Sequence, residues 1–228
     1  SHHSNAAIIA ADRVNADIKA INILLPYITY INEPNNDGTN LISTTGAVGN
    51  LELTQRLYSM GANTKYIKQK EDYGQNLLET AAALGSKEVV QYYLNQNFDV
   101  NHKRRDGQSA LMLAFWGNTL DVVKLLVEAG ADTKLKADGG LTLLDSACSK
   151  KPEGILIDRA QLDVIQYLLS LGAKINEEDE YGRIALHFLA ENRKDVSEVF
   201  KYMLSKGADI NHKTKKGLTP LMYVKNPD

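Results

Sequence analysis

Asp106 to Lys134 reads DGQSALMLAFWGNTLDVVKLLVEAGADTK, a turn followed by two short helices and a stop. Asp106-Gly107 is a turn signal, because glycine takes a positive φ without a Cβ clash. A short apolar helix is predicted over Ala110 to Trp116, and Gly117-Asn118 breaks it. The second helix places Leu120, Val123 and Leu126/Val127 at three- and four-residue intervals along one face. Gly130 then ends it as a C′ glycine.

The rest of the chain repeats this stretch imperfectly. Turn glycines stand at Gly38, Gly74, Gly107, Gly140, Gly182 and Gly217, with separations of 36, 33, 33, 42 and 35 residues. The helix-ending position follows the turn by 23 residues in Gly38 to Gly61, Gly74 to Asn97 and Gly107 to Gly130. The next turn comes 10 residues later in Asn97 to Gly107, Gly130 to Gly140, Gly172 to Gly182 and Gly207 to Gly217. An offset kept through so much change of residue identity is a structural repeat.

With GLTPL at Gly217 to Leu221, IALH at Ile184 to His187 and GADIN at Gly207 to Asn211, the chain resembles the ankyrin-repeat proteins. Weaker forms of the pattern are GAKIN (Gly172 to Asn176), GADT (Gly130 to Thr133) and GANT (Gly61 to Thr64), and the resemblance covers about residues 37 to 224. It implies an all-α solenoid of helix-turn-helix pairs with projecting β-hairpin loops. It implies no chemistry, because a repeat fold hosts many functions.

Composition agrees with one continuous solenoid. Lys+Arg total 26 against Asp+Glu 28, so no global field selects nucleic acid or an anionic membrane. One cysteine cannot form an internal disulfide and suits a reducing compartment, so a cytoplasmic or nuclear protein is expected. No apolar run approaches the ~18 to 20 residues that span a bilayer, and SHHSNAAIIAADR lacks the basic region and long apolar core of a signal peptide. Residues 1 to 4 look like a tag remnant, and the whole reads as an excised fragment.

Residues 5 to 36 read as a degenerate N-terminal capping repeat, its helical spacing interrupted by Pro26. The repeats proper run over about 37 to 71, 72 to 104, 105 to 137, 138 to 179 and 180 to 214, with a half-repeat at 215 to 228. The loop NTKYIKQKEDY after Gly61 is three residues longer than the standard, 13 against 10. The fourth repeat exceeds 33 residues by nine, 42 less 33, and CSKKPEGILIDRAQ (148 to 161) holds the excess between its helices. A fifth-repeat insertion of two residues lies near Glu191 to Asp195.

No catalytic constellation emerges. His102 and His212 fall at equivalent positions three repeats apart, too far to share a metal ion. His187 holds the family's TPLH position, where the resemblance implies a structural histidine bonded to the neighbouring hairpin. Cys148 occupies the small-residue slot held by Ala82 in the second repeat, so it reads as buried rather than nucleophilic. The glycines are turn punctuation, not a phosphate loop. Glu177-Glu178-Asp179-Glu180 lacks the alternating ligands of a calcium loop and reads as a solvated charge cluster. Basic tips at Lys103-Arg104-Arg105, Lys134/Lys136 and Lys213/Lys215/Lys216 would form a positive stripe, but the acidic loop interrupts it, which disfavours nucleic acid.

What remains is binding. The family grips protein partners on its concave face, and its exposed variable positions carry over to Tyr73, Gln75 and Leu84 in the second repeat. The third repeat supplies Arg105, Asp106, Gln108 and Trp116, the fourth Asp138, Leu141 and Lys150, and the fifth Tyr181, Arg183, Glu191 and Asn192. Trp116, the one tryptophan, stands before the interhelical glycine with the composition of an interface anchor. The expected function is a monomeric, non-catalytic module that binds a partner protein or peptide without cofactor, metal or membrane. The alternative is the substrate-recognition domain of a larger enzyme, such as a bacterial effector acting in a host cytosol.

Overall fold

The computed structural model describes residues 31–32, 40–62, 76–117, 119–149, 162–191 and 196–224. Within them the repeat becomes five helix pairs: α1 (Leu41–Val48) with α2 (Leu51–Ser59), α3 (Leu77–Ala83) with α4 (Lys87–Asn95), α5 (Ala110–Ala114) with α6 (Leu120–Glu128), α7 (Leu143–Cys148) with α8 (Leu162–Ser170), and α9 (Ala185–Ala190) with α10 (Ser197–Ser205). A 3-10 turn, Pro220–Tyr223, stands where the first helix of a sixth pair would begin. First helices pack on first helices and second on second along the stack. The expected capping repeat apart from residues 31 and 32, the long loop after Gly61 and most of the 148 to 161 insertion lie outside the described residues.

Burial separates the two layers. Every residue of α5 and of α9 is buried, so these inner helices carry no polar stripe at all. The outer helices bury only their third, fourth and seventh positions, as in Val122, Val123 and Leu126 of α6 and Val164, Ile165 and Leu168 of α8. Each such side chain contributes about 1.5 to 3 kcal/mol by leaving water. The third inner helix is shorter than its apolar run predicts, ending at Ala114 rather than Trp116.

The outer helices all stop in the same way. In α6 the Gly130 amide donates to the Val127 carbonyl at 3.0 Å and the Ala131 amide to the Leu126 carbonyl at 2.9 Å, closing the last turn around a glycine with φ of 91°. The fourth outer helix from the end, α4, does this with Asn97 at φ 61°. Inner and outer helices are joined by turns that touch from one repeat to the next. A Cβ placed on Gly117 would lie 2.4 Å from the Gly85 nitrogen, so the α3–α4 and α5–α6 turns meet backbone to backbone.

Tight hairpins connect the pairs. The Arg104 amide donates to the Gln108 carbonyl at 2.9 Å and the Gly107 amide to the Arg104 carbonyl at 3.0 Å, and the same two bonds recur at Ala137, Asp179 and Thr214. Among the described residues the β character of these hairpins is one antiparallel bridge, Lys103 with Ser109.

A further tie crosses the joints between outer helices. Asn32 donates to the Gly61 carbonyl at 3.2 Å, Asn101 to that of Gly130 at 3.1 Å, and Asn176 to that of Gly207 at 2.9 Å. Asn101 and Asn176 also accept from the Asp132 and Asp209 amides at 2.7 and 2.9 Å. At the α6–α8 joint the corresponding residue is Lys134, which has no acceptor. What crosses there instead is the exposed Lys136–Glu177 pair at 2.6 Å.

Two stability predictions follow from these contacts. Gly117→Ala drives a methyl group into the Gly85 backbone and is expected to cost about 3 kcal/mol, read as a lowered urea midpoint with an unchanged slope. Lys134→Asn restores the missing tie and is expected to raise stability by about 1 kcal/mol, measured in the same titration.

Candidate functional site

The hairpin tips form a continuous row because each tip is bonded to the next. The Asp138 amide donates to the Asp106 carbonyl at 3.1 Å, Glu180 to Gly139 at 2.8 Å and Lys215 to Tyr181 at 3.0 Å. Arg105, Asp106, Asp138 and Tyr181 are thereby brought together, and Lys215, expected among the basic tips, extends the row. A second row lies at the far ends of the inner helices, where Leu84 caps α3, Trp116 follows α5 and Glu191 caps α9. One inner helix of five to seven residues separates the rows, roughly 8 to 10 Å at 1.5 Å per residue. Tyr73, Gln75, Lys150 and Asn192 lie outside the described residues.

The candidates differ in what their side chains are free to do. Leu84, Arg105, Asp138 and Tyr181 are exposed, whereas Gln108, Leu141 and Glu191 are half-buried. Trp116 is half-buried too, so among the described residues the exposed aromatic of this face is Tyr181, at 58%. Asp106 accepts from Arg104 Nη2 at 3.0 Å and from the Gln108 amide at 3.2 Å, which fixes the first tip from within. Arg183 is likewise committed: its Nε donates to Asp179 at 2.7 Å, and its guanidinium lies 4.3 Å from the Phe188 ring centre and 5.2 Å from that of Tyr181.

Asp179 corrects the reading of the acidic run. It is buried rather than solvated, and one carboxylate oxygen accepts from the Tyr181 and Arg183 amides, each at 2.8 Å. Glu177 pairs with Lys136, and Glu178 lies 3.3 Å from His212, which leaves Glu180 as the exposed acid at the tip. Arg104 is a second correction, since it is buried at the hairpin stem and does not belong to the exposed basic tips.

Beneath the tips, the third residue of the inner helix ties the repeat together in α3, α7 and α9, each time with a different group, whereas α5 has Met112 there. His187 Nδ1 accepts from the Ile184 amide at 3.1 Å, so Nε2 carries the proton and donates to the Leu218 carbonyl of the next hairpin at 3.2 Å. Burial lowers its pKa and keeps it neutral. Glu79 accepts from the Asn76 amide at 2.7 Å and meets Nδ1 of His102, in the following hairpin, at 2.8 Å. Burial raises the Glu79 pKa and the His102 contact opposes the rise. Asp145 accepts from the Thr142 amide at 2.9 Å and hydroxyl at 2.7 Å, but its other oxygen is buried with no hydrogen-bond partner. Burial pushes its pKa up to about 6.

Cys148 is wholly buried, with Sγ 3.9 Å from Met203 Sδ, and burial pushes its thiol pKa up, away from the thiolate a nucleophile requires. Among the described residues no three potential metal ligands converge, and no helix is long and apolar enough to cross a membrane.

A family model described as ankyrin repeats (3 copies) matches residues 43–137, 78–179 and 155–225. The chain belongs to the ankyrin-repeat family. Ankyrin repeats are protein-interaction modules, and relatives carry them in proteins of several kinds. The chain is 33% identical over 100 residues to an ankyrin repeat protein of Acanthamoeba polyphaga mimivirus, which covers 40% of this chain and 17% of that protein. It is 34% identical over 94 residues to protein phosphatase 1 regulatory subunit 27 of Mus musculus, covering 41% of this chain and 55% of the subunit. The Homo sapiens counterpart is 33% identical over the same length. The matched stretch thus spans about half the length of the phosphatase subunits and a small part of the viral protein.

The buried acid at the family's histidine position gives these ankyrin repeats a pH dependence of defined sign. Asp145 binds its proton more tightly folded than unfolded, so its contribution is full below about pH 4 and is lost as pH rises through about 6. Asp145→Asn is expected to flatten the loss of stability between pH 4.5 and 7.5 by on the order of 2 kcal/mol, measured by urea unfolding of parent and variant at both values.

Proposed function

We propose that this ankyrin-repeat chain binds a segment of a partner protein across the row of hairpin tips and the inner-helix ends, without catalysis of its own. The observation that supports this most is Tyr181. Its ring is exposed, yet it lies against Gly139, where a Cβ would come within 3.2 Å of Tyr181 Cε2, and under the Arg183 guanidinium. Asp179 holds its backbone from below. A large aromatic that is held in place while exposed loses little freedom on binding, which is what an interface anchor requires.

The charges around it are of mixed sign, two acids between two basic residues. Arg105, Asp138, Glu180 and Lys215 follow one another along the tips, a pattern that sets register and association rate more than affinity. Leu84 offers apolar contact on the second row, and Trp116 borders it. The likeness to phosphatase regulatory subunits supports a protein as the partner class.

Affinity capture with the parent chain, Tyr181→Ala and Trp116→Ala, read by mass spectrometry, tests this. Tyr181→Ala is expected to weaken a captured partner by about 2 kcal/mol, on the order of 30-fold, with an unchanged circular dichroism spectrum. Trp116→Ala, half-buried, is expected to weaken it less. Equal recovery by all three chains would remove this face as the binding surface.

A further inference from the structure

The α6–α8 joint, where Lys134 stands in place of the asparagine tie, borders a solvent-open cavity of about 350 Å³. Leu143, Leu144 and Leu168 form its floor, and Lys134, Gly172 and Lys174 stand at its edge. Lys136 and Glu177 of the adjoining hairpins also line it, but none of the residues assigned to the proposed partner face does, so it is a second location.

The neighbouring joints show what such a place holds. At one, the Asn101 carboxamide accepts from the Asp132 amide at 2.7 Å and donates to the Gly130 carbonyl at 3.1 Å. At the other, Asn176 accepts from the Asp209 amide at 2.9 Å and donates to the Gly207 carbonyl at 2.9 Å. The corresponding pair here is the Lys174 amide and the Gly172 carbonyl, and among the described residues neither has a hydrogen-bond partner. Lysine cannot serve both, because an ammonium donates and does not accept.

We propose that this joint binds the side chain of a glutamine presented by a partner peptide. Its carboxamide oxygen accepts from the Lys174 amide, its NH₂ donates to the Gly172 carbonyl, and its methylenes lie on the leucine floor. A carboxamide is selected because the repeat register places one donor and one acceptor here at the positions that two other joints fill with the same group. A carboxylate meets the donor and the lysines but sets negative charge against the Gly172 carbonyl. The volume exceeds what a primary amide alone needs, which favours glutamine with its added methylene, and it falls within the range of small-ligand sites.

The test is a titration of the ¹⁵N-labelled full chain with N-acetyl-glutamine N′-methylamide, alongside the glutamate and norleucine analogues. The expected result is saturable movement of the Ala173 and Lys174 amide resonances with the glutamine compound, with a Kd on the order of millimolar, and at least a fivefold weaker response to the other two. Lys134→Asn, which supplies its own carboxamide, is expected to abolish the response. Lys134→Ala, which leaves the place empty, is expected to keep it within about twofold. Glutamate binding as well as glutamine, an unmoved Lys174 amide, or equal behaviour of the two variants would overturn the proposal.

Discussion

One backbone hydrogen bond sets the spacing of the hairpin tips: the amide of one tip donates to the carbonyl of the tip before it. Backbone groups have fixed reach, so this bond spaces the repeats whatever side chains they carry. Asp138, Glu180 and Lys215 can differ in charge because the bond between tips uses their backbone amides and not their side chains. The same separation of labour runs through the interior, where the third residue of the inner helix is His187, Glu79 or Asp145, and each closes its own helix start by accepting from a backbone amide.

The fold was legible in the sequence because its strongest signals are backbone requirements. Glycines recurring at a fixed offset mark positions of positive φ, and the structure confirms left-handed backbone at Gly61, Gly107, Gly130, Gly140, Gly172, Gly182, Gly207 and Gly217. The apolar spacing of the outer helices was equally plain, since buried positions three, four and seven leave their pattern in any window.

The surface was less legible, for a reason visible in two residues. Asp179 sits in a run of four acids, and composition alone cannot distinguish the one that turns inward to accept three hydrogen bonds from those that face water. Glu79 and His102 are 23 residues apart and meet only because the helix start of one repeat abuts the hairpin stem of the next. Trp116 drew attention as the one tryptophan, yet Tyr181 is the aromatic that the hairpin geometry lifts into solvent. The substitution at Lys134 is legible in the sequence, because Asn101, Asn176 and Asn211 hold its register in other repeats.

In a stack where each repeat touches only its neighbours, the joints act in series. The α6–α8 joint has an ion pair and a cavity where the joints on either side have an asparagine bridge, so it is more compliant than those two. A load applied along the stack extends the chain there first, while the repeats on either side move as stiff blocks. On the proposed binding mode, a partner spanning Arg105 and Tyr181 would bridge that soft coil of the spring and splint it.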